Sequence, residues 1–318
     1  MKHWGVILLA AMLLAPVELS AETIALVSDL NGRYGSTDYN RRVERAVGVI
    51  SQLQPDLVLI AGDMVAGQKQ PLLDKDRLEG MWSAFHATVS DPLRQSGIPV
   101  VVTPGNHDGS ALPGFELEQE QFVRQWTARR PGLAFLPGSD WPTRYAAMLG
   151  DVLLIGFDGT WPGQLQKDEM IFVNDMLSRH SGKARATIVF SHLPLWPLAK
   201  GRESQTLNDP ELLSLLHQHG VDVYASGHHH VSWAGVDAAG MVHLSVGALG
   251  GGARSFSAGS PRQPHSFMLL SVDETRARVE TRMAPGFESP VNTKDLPKRI
   301  EGPLGVLERL DEPAPLRP

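Results

Sequence analysis

Five short clusters of oxygen- and nitrogen-bearing side chains occur along the chain, and most of their members are residues able to bind metal ions. The 318 residues include no cysteine, so any metal must be held by carboxylate, amide or imidazole groups. Such ligands suit hard and borderline divalent cations. In chain order the clusters are Asp29-Leu30-Asn31, Gly62-Asp63, Gly105-Asn106-His107-Asp108, His192 and Gly227-His228-His229-His230.

Each cluster taken alone has a simpler structural explanation. Asp29 is a typical N-cap residue of a helix, and Gly62-Asp63 is a common turn sequence. A lone histidine such as His192 is more often structural than a ligand, and consecutive histidines also occur as surface tracts. Metal chemistry is therefore indicated by the joint order of the clusters and by the elements that precede them.

An apolar run precedes every cluster and predicts a buried β-strand. These runs cover residues 23–27, 57–61, 99–102, 186–190 and 221–225. Amphipathic stretches at 39–53 and 76–95 predict helices between the first three strands. Alternating strands and helices of these lengths are typical of a mainly parallel sheet, where ligands bind outside the carboxyl ends of the strands. The five clusters are therefore expected to meet at one sheet edge.

The remainder of the chain has a less regular pattern. Its predicted elements are a hairpin from 144–148 and 152–157, helices at 167–179 and 210–219, and hairpin strands within 231–247 and 267–283. Proline and charged residues become frequent after residue 284. Residues 285–318 are therefore interpreted as an extended tail with one helical turn at 306–310.

The clusters resemble the calcineurin-like metallophosphoesterases, whose pattern is D-x-H, G-D, G-N-H-(D/E), a lone His and G-H-x-H. The match runs from about residue 24 to residue 230. It implies an α/β fold, a four-layer αββα sandwich of two mixed sheets, in a domain at 22–284. It also implies two divalent metal ions and hydrolysis of a phosphate ester. Two cations neutralise an anionic ester, lower the pKa of a bound water and hold the attacking and leaving oxygens.

The resemblance assigns Asp29 and His230 to the first metal and places Asp63 between the two metals. Asn31 occupies a position where the family usually has histidine. An amide oxygen is a harder and weaker ligand than imidazole, so Asn31 is expected to loosen the first site and shift it toward Mn²⁺ or Mg²⁺. Mn²⁺ is the expected metal, with iron, Zn²⁺ and Mg²⁺ as alternatives.

The resemblance also implies a second metal site and a catalytic histidine. The ligands of the second metal would be Asn106, His192 and His228. His107 would protonate the leaving oxygen or stabilise charge in the transition state. Protein Ser/Thr phosphatases of this superfamily orient that histidine with the second aspartate of G-D-x-x-D-R-G, and this chain has Ala66 there. A protein-phosphatase activity is therefore not expected, and Asp108 is one candidate for the partner of His107.

Several other residues have structural interpretations. His229 is the free position of G-H-x-H and is expected to point away from the metals. His217 lies at a predicted helix end and is expected to interact with the helix dipole. The glycine-rich residues 247–252 predict a flexible turn near the site rim. Trp161 and Trp196 are candidates either for lining a substrate pocket or for packing in the core.

Charge and the N-terminal sequence indicate possible partners and location. The net charge is −6 without a Lys/Arg run, so no nucleic-acid-binding surface is expected. Lys2 and His3 precede the apolar residues 5–17, and residues 19–21 suit cleavage. Residues 1–21 are therefore interpreted as a signal peptide of a periplasmic or secreted bacterial protein. An uncleaved anchor is the alternative, although the apolar run is short for a membrane span. No later stretch approaches that length.

The expected reaction is attack of water on a phosphomonoester or phosphodiester of a small compound, such as a nucleotide or cyclic nucleotide. No protein partner is expected. A pyrophosphatase and a lipid-headgroup phosphodiesterase are alternatives with related chemistry. A catalytically impaired domain that binds metal or phosphate is the alternative outside enzymes, and Asn31 supports it. The presence of His107 with both histidines of G-H-x-H favours catalysis.

Overall fold

The computed structural model describes residues 21–110, 112–259 and 262–317. The predicted signal peptide lies outside this part of the chain, apart from its last residue. Within the described residues, no helix combines the length and the apolar character that crossing a membrane requires.

Side chains cap the free backbone N–H groups at the start of three of the six described α-helices, and the other three start without such a cap. Asn40 accepts a hydrogen bond from the N–H of Arg42, and Asp209 caps the last helix through two N–H groups. A π-helical turn at His86–Ser90 links two helices, so the helix predicted at 76–95 is continuous in space. The α-helices are α1 (Arg41–Leu53), α2 (Lys75–Phe85), α3 (Asp91–Gln95), α4 (Glu116–Thr127), α5 (Lys167–His180) and α6 (Pro210–Gln218). Helix α4 was not predicted from the sequence.

The strands include all five apolar runs that precede the polar clusters. In chain order they are β1 (Glu22–Val27), β2 (Leu57–Ile60), β3 (Val100–Val102), β4 (Ala134–Phe135), β5 (Tyr145–Leu149), β6 (Val152–Gly156), β7 (Ala186–Phe190), β8 (Val223–Ser226), β9 (Trp233–Val236), β10 (Val242–Ser245), β11 (Ser266–Val272), β12 (Arg276–Met283), β13 (Arg299–Gly302), β14 (Gly305–Arg309) and β15 (Ala314–Pro315).

The strands form two mixed sheets. The first has the order β15-β12-β11-β1-β2-β3, with β1, β2 and β3 parallel and β11 antiparallel to β1. The second has the order β13-β14-β9-β10-β8-β7-β6-β5-β4, with a parallel centre of β6, β7, β8 and β10. The predicted hairpins β5–β6, β9–β10 and β11–β12 are all confirmed.

Two hydrophobic clusters define four layers. Alternate residues of a strand point to opposite faces of its sheet. Leu154 and Ile188 accordingly face a core shared with the first sheet and with α1 to α4. Their neighbours Leu153 and Val189 face the second cluster, which includes α5 and α6. The predicted αββα sandwich is confirmed.

The C-terminal residues differ from the extended tail that the sequence suggested. Strand β14 pairs with β13 and with β9 in the second sheet, whereas β15 pairs with β12 in the first. The helical turn predicted at 306–310 is wrong, because these residues form β14 and its end. Proline and charge obscured the alternation in which Leu307 is buried between exposed Val306 and exposed Glu308. Residues 299–315 thus extend both sheets.

Candidate metal centre

The polar clusters meet where the carboxyl ends of strands from both sheets come together. Asp29, Asp63 and Asn106 follow β1, β2 and β3 of the first sheet. His192 and His228 follow β7 and β8 of the second. The sequence predicted convergence on the edge of one sheet, whereas the ligands come from two. A backbone bridge between Ser28 and Ala248 joins the segments beside the site.

Four of the expected ligands have left-handed backbone conformations that residues other than glycine rarely adopt. The φ angles are 52° at Asp29, 57° at Asp63, 63° at His228 and 54° at His230. Each such residue costs on the order of 1 kcal/mol and persists only where surrounding structure enforces it. These conformations occur together in the loops that follow the strands. They indicate that the chain turns sharply there and directs the four side chains toward the centre of the site.

Glycines allow these turns to pack against each other. A Cβ on Gly105 would lie 2.0 Å from the backbone nitrogen of Asp63. A Cβ on Gly227 would lie 1.8 Å from Ser28 Oγ. Both distances are shorter than any side chain permits, so the glycines before Asn106 and His228 are required by close approach of the neighbouring loop.

Asp29 and His230 form the first part of the centre. His230 Nδ1 donates to the carbonyl of Gly252 at 2.6 Å, so its Nε2 carries a lone pair. That Nε2 faces Asp29 Oδ1 at 2.9 Å. Asp29 Oδ1 is buried and receives no hydrogen bond from the residues that the structure describes, while Oδ2 accepts from the N–H of His228 at 3.0 Å. Two lone pairs therefore face each other in a buried place, which fits a cation between them.

Asn31 lies beside this pair and lines the same cavity. Its side chain is buried, and its amide nitrogen is 3.5 Å from the carbonyl of Val65. With the nitrogen on that side, the amide oxygen is the atom available to a metal. Asn31 is thus placed where the sequence predicted a ligand.

His192 is the centre of the second group of ligands. Its Nδ1 donates to the carbonyl of Ala61 at 2.7 Å, which leaves a lone pair on Nε2. This Nε2 lies 3.1 Å from Asn106 Oδ1, 3.2 Å from His228 Nδ1 and 3.4 Å from Asp63 Oδ1. Ligand atoms of His192, Asp63 and Asp29 all lie within 4.8 Å of one another.

Two glutamines that the sequence did not identify fix the orientation of the other ligands. Gln205 Oε1 accepts from His228 Nε2 at 2.8 Å, so Nδ1 of His228 also carries a lone pair. Gln68 Oε1 accepts from Asn106 Nδ2 at 2.6 Å, which directs Asn106 Oδ1 inward. When His192 is neutral, as a metal ligand must be, four acceptor atoms converge here. This is the arrangement of a metal site with its outer hydrogen bonds in place.

The electrostatics of the site favour positive charge. Burial alone would lower the pKa of His192, but the charges of Asp63 and Asp29 outweigh it and raise that pKa to about 10. Burial conversely would raise the pKa of Asp63, and the charges of His192 and His107 outweigh it, so the Asp63 pKa is lowered. The pKa of Asp29 is also lowered, mainly by His230 against the effect of burial. These shifts describe the site with protonated imidazoles, and the same negative charges would attract a divalent cation, which would replace the proton on His192 Nε2.

His107 lies at the cavity edge, and its partner is not Asp108. His107 Nδ1 donates to the carbonyl of Gly67 at 2.8 Å, and Gly67 N–H donates to the carbonyl of His107 at 2.8 Å. The proposed contact between Asp108 and His107 is wrong. Asp108 points behind the loop instead, accepting hydrogen bonds from the N–H groups of Gly105, at 2.6 Å, and of Met64.

Asp108 therefore ties the loop after β2 to the loop after β3. Asp63 makes the complementary bond, since its Oδ1 accepts from the N–H of His107 at 2.9 Å. Burial and the nearby charge of Asp63 raise the pKa of Asp108 well above its usual range. Asp108, the last residue of G-N-H-D, thus positions the backbone of the two loops and not the imidazole of His107.

The histidines and tryptophans outside the expected ligand set are only partly placed as predicted. His229 is buried and points away from the expected metal ligands, as predicted, with Nδ1 accepting from the N–H of Leu198 at 3.1 Å. His217 does not depend on the helix dipole alone, because its Nε2 donates to Asp237 Oδ2 at 2.7 Å. Trp196 is buried in the core, whereas Trp161 is 42% exposed and lines the cavity.

The ligands open into a cavity of about 780 Å³. Gly251 and Gly252 form part of its rim, as predicted for the glycine-rich turn. Arg202 and Arg254 also line it. Neither arginine was identified from the sequence, because neither belongs to a motif and only the fold brings their loops to the ligands.

The fold is an αββα sandwich, and carboxylates, histidines and amides meet where the strand ends of its two sheets come together. This combination defines a metal-dependent phosphoester hydrolase. The family model described as calcineurin-like phosphoesterase matches residues 22–232. The chain belongs to this family, whose members depend on a dinuclear metal centre.

A relative from Arabidopsis thaliana, named as a metallophosphoesterase, is 24% identical to this chain over an alignment of 209 residues, and the match covers 61% of this chain. The match spans only 27% of that relative's length.

Three solved structures share the fold. Purple acid phosphatase from yellow lupin (Lupinus luteus) superposes with a TM-score of 0.64 at 18% identity, covering 83% of this chain and 52% of that chain. GAP50, the anchor in the inner membrane complex of Plasmodium, superposes with a TM-score of 0.57 at 15% identity. The match covers 86% of this chain and 89% of that chain. A dimetal phosphatase from Danio rerio superposes with a TM-score of 0.52 at 16% identity. The match covers 83% of this chain and 96% of that chain.

Proposed function

We propose that the protein is a dinuclear-metal phosphoesterase that hydrolyses a small phosphomonoester or phosphodiester, with a nucleotide or cyclic nucleotide as the expected substrate type. The observation that carries the proposal is the convergence of lone pairs from Asp63, Asn106, His192 and His228 in a buried place when His192 is neutral. Asp29 and His230 repeat this arrangement next to it.

When bound, two divalent cations supply neutralisation of the ester charge and an activated water. His107 would act as the acid. Its Nδ1–H on the carbonyl of Gly67 leaves Nε2 to carry the second proton, and the same carbonyl stabilises the imidazolium. Asp63 holds the backbone N–H of His107, so the acid keeps a fixed position relative to the ligands.

The cavity supports a substrate of small-molecule size. Its volume of about 780 Å³ falls in the range of ligand pockets, about 300–1,000 Å³. Trp161 is exposed at the cavity and offers a face for stacking an aromatic group such as a nucleobase. These features favour a nucleotide-like ester over a protein substrate.

A non-catalytic metal- or phosphate-binding domain is the second candidate, and Asn31 is the observation that favours it. The fold alone does not separate the two candidates, since both phosphatases and an anchor protein share it. Metal content does separate them. A catalytic centre is expected to hold two metals per chain, and an impaired centre fewer.

The test is hydrolysis of bis-(p-nitrophenyl) phosphate and p-nitrophenyl phosphate with Mn²⁺, Zn²⁺, Mg²⁺ or no added metal. Asp63→Asn removes the central carboxylate charge and keeps its shape. Asp76→Asn, on the exposed surface of α2, is the matched control. Metal content of each protein is measured after dialysis.

We expect metal-dependent turnover that is lost in Asp63→Asn and kept in Asp76→Asn, with close to two metals per wild-type chain. The preferred ester would separate a diesterase from a monoesterase. Fewer than two metals together with no turnover under any condition would overturn the proposal in favour of the binding domain.

A further inference from the structure

Two arginines share the cavity with the metal ligands. Arg202 belongs to the loop before α6, and Arg254 to the loop between β10 and β11. Both are half-buried. Within the described part of the chain, neither guanidinium has a carboxylate within ion-pair distance. Partly buried arginines normally have a counter-ion, because removing their charge from water is costly.

Both guanidinium groups are connected to His228. Arg202 Nη1 donates at 2.6 Å to Gln205 Oε1, which also accepts from the His228 ring. Arg254 Nη1 donates at 2.6 Å to the backbone carbonyl of His228. The two positive groups are therefore held beside the second metal position, each from a different loop.

Most of the hydrogen-bonding capacity of these arginines is unused. A guanidinium has five N–H donors in a planar fork. Among the described residues, each of the two side chains makes a single hydrogen bond to the protein. The two guanidinium groups lie close enough for the charge of Arg202 to act on Arg254, as the carboxylates of Asp29 and Asp63 also do. Two like charges kept close with free donors form a place for an anion.

We propose that Arg202 and Arg254 bind a second phosphate group of the substrate, so that the preferred esters carry a phosphate adjacent to the scissile one, as in an organic diphosphate. The guanidinium fork matches phosphate oxygens in a bidentate manner. The inference rests on the proposed function, because the scissile phosphate must occupy the metal centre for the second to reach the arginines.

A structural role is the competing explanation, since both side chains also support the His228 loop. The two roles have different consequences. Loss of a support for His228 weakens every ligand of the metal centre to a similar degree. Loss of an anion subsite weakens only ligands that carry the second phosphate.

The test measures binding of methylenediphosphonate, a non-hydrolysable diphosphate, and of methylphosphonate by calorimetry. The protein is loaded with Mn²⁺ and dialysed free of unbound metal. The variants are Arg202→Met, Arg254→Met and the double variant, with Lys200→Met as the control. Lys200 is exposed, lies two residues from Arg202 and does not line the cavity. Thermal unfolding and metal content verify that each variant is folded and loaded.

Wild-type protein is expected to bind methylenediphosphonate at least tenfold more tightly than methylphosphonate. Each single variant should lose about tenfold in diphosphonate affinity and the double variant roughly 100-fold, with less than threefold change for methylphosphonate. Equal weakening of both ligands, or no preference in the wild type, would overturn the inference. If the double variant does not fold, the single variant Arg202→Met decides, because the only hydrogen bond of the Arg202 side chain within the described residues is to Gln205.

These measurements do not require turnover. A protein that loses only the diphosphonate preference in the variants, hydrolyses no ester and holds fewer than two metals would overturn the proposed function. The two arginines would then remain as an anion site of a binding domain. Turnover of p-nitrophenyl phosphate without a diphosphonate preference would disprove the subsite alone.

Discussion

Gln205 fixes the tautomer of His228, and replacing it tests whether that ring offers Nδ1 to a metal. Gln205 Oε1 can only accept, and it lies 2.8 Å from His228 Nε2, so Nε2 carries the proton. Gln205→Leu keeps much of the side-chain volume and removes the acceptor. The imidazole is then free to place its proton on Nδ1, where the proton blocks the metal.

The expected magnitude follows from the contacts of this glutamine. Loss of an outer hydrogen bond to a metal-bound histidine typically weakens metal binding 10- to 100-fold, or about 1.4–2.7 kcal/mol. Arg202 donates to the same oxygen at 2.6 Å, so Gln205→Leu also leaves a cation unpaired near the metal. We therefore expect at least a tenfold loss for the second metal. The first metal should change less than threefold, because His230 is oriented by Gly252 instead.

The assay is competition of each protein with a fluorescent chelator for Mn²⁺ and for Zn²⁺, which resolves two binding steps. Gln205→Glu is the complementary variant, because a carboxylate acceptor increases the basicity of the imidazole and should tighten the second step. Gln218→Leu makes the same chemical change at an exposed position near the end of α6 and should alter neither step.

The second metal is therefore expected to bind most tightly with Glu at position 205, less tightly with Gln and least tightly with Leu. Equal second-step affinity in Gln205→Leu and wild type would refute the assignment of the His228 tautomer. An equal loss in both steps would instead indicate general damage to the site.

Three other substitutions test separate features. Asn31→His should tighten the first metal and change the metal preference, and unchanged metal titration and activity would contradict this. Asp108→Asn leaves one buried N–H of the two loops without an acceptor, so urea unfolding should show a loss of about 2 kcal/mol, and a loss below about 0.5 kcal/mol would refute the tie. Burial, with the charge of Asp158, raises the pKa of Glu169 to about 7, so wild-type stability should fall as pH rises from about 4.5 through 7. Glu169→Gln should remove up to about 3 kcal/mol of that decline, as measured by unfolding across this pH range, and parallel pH profiles would disprove it.

The strand-and-cluster pattern was predictable because it is local. A buried parallel strand needs a continuous apolar run, and a metal ligand needs one of a few side chains, so both can be recognised within a short segment. The order of the clusters then indicated the family. The tail was misread for the opposite reason: β14 gains its stability from pairing with β9, a partner about 70 residues earlier, and has little local signal.

Which groups hold the ligands in place was decided by tertiary structure. The sequence proposed Asp108 as the partner of His107 because the two are adjacent, but sharp turns direct them to different sides of the loop. Gln205 and Arg254 come from distant loops and show no pattern of their own.

The sequence by itself determined the types and order of the candidate ligands and the strands that precede them, because these depend on residue chemistry and on short-range periodicity. It also excluded thiolate ligands, since the chain has no cysteine. Only the tertiary structure decided that two sheets share the site, which imidazole nitrogen faces the metals and where the arginines stand. Those properties depend on distances between segments far apart in the chain, and such distances are set by how the sheets and loops pack together.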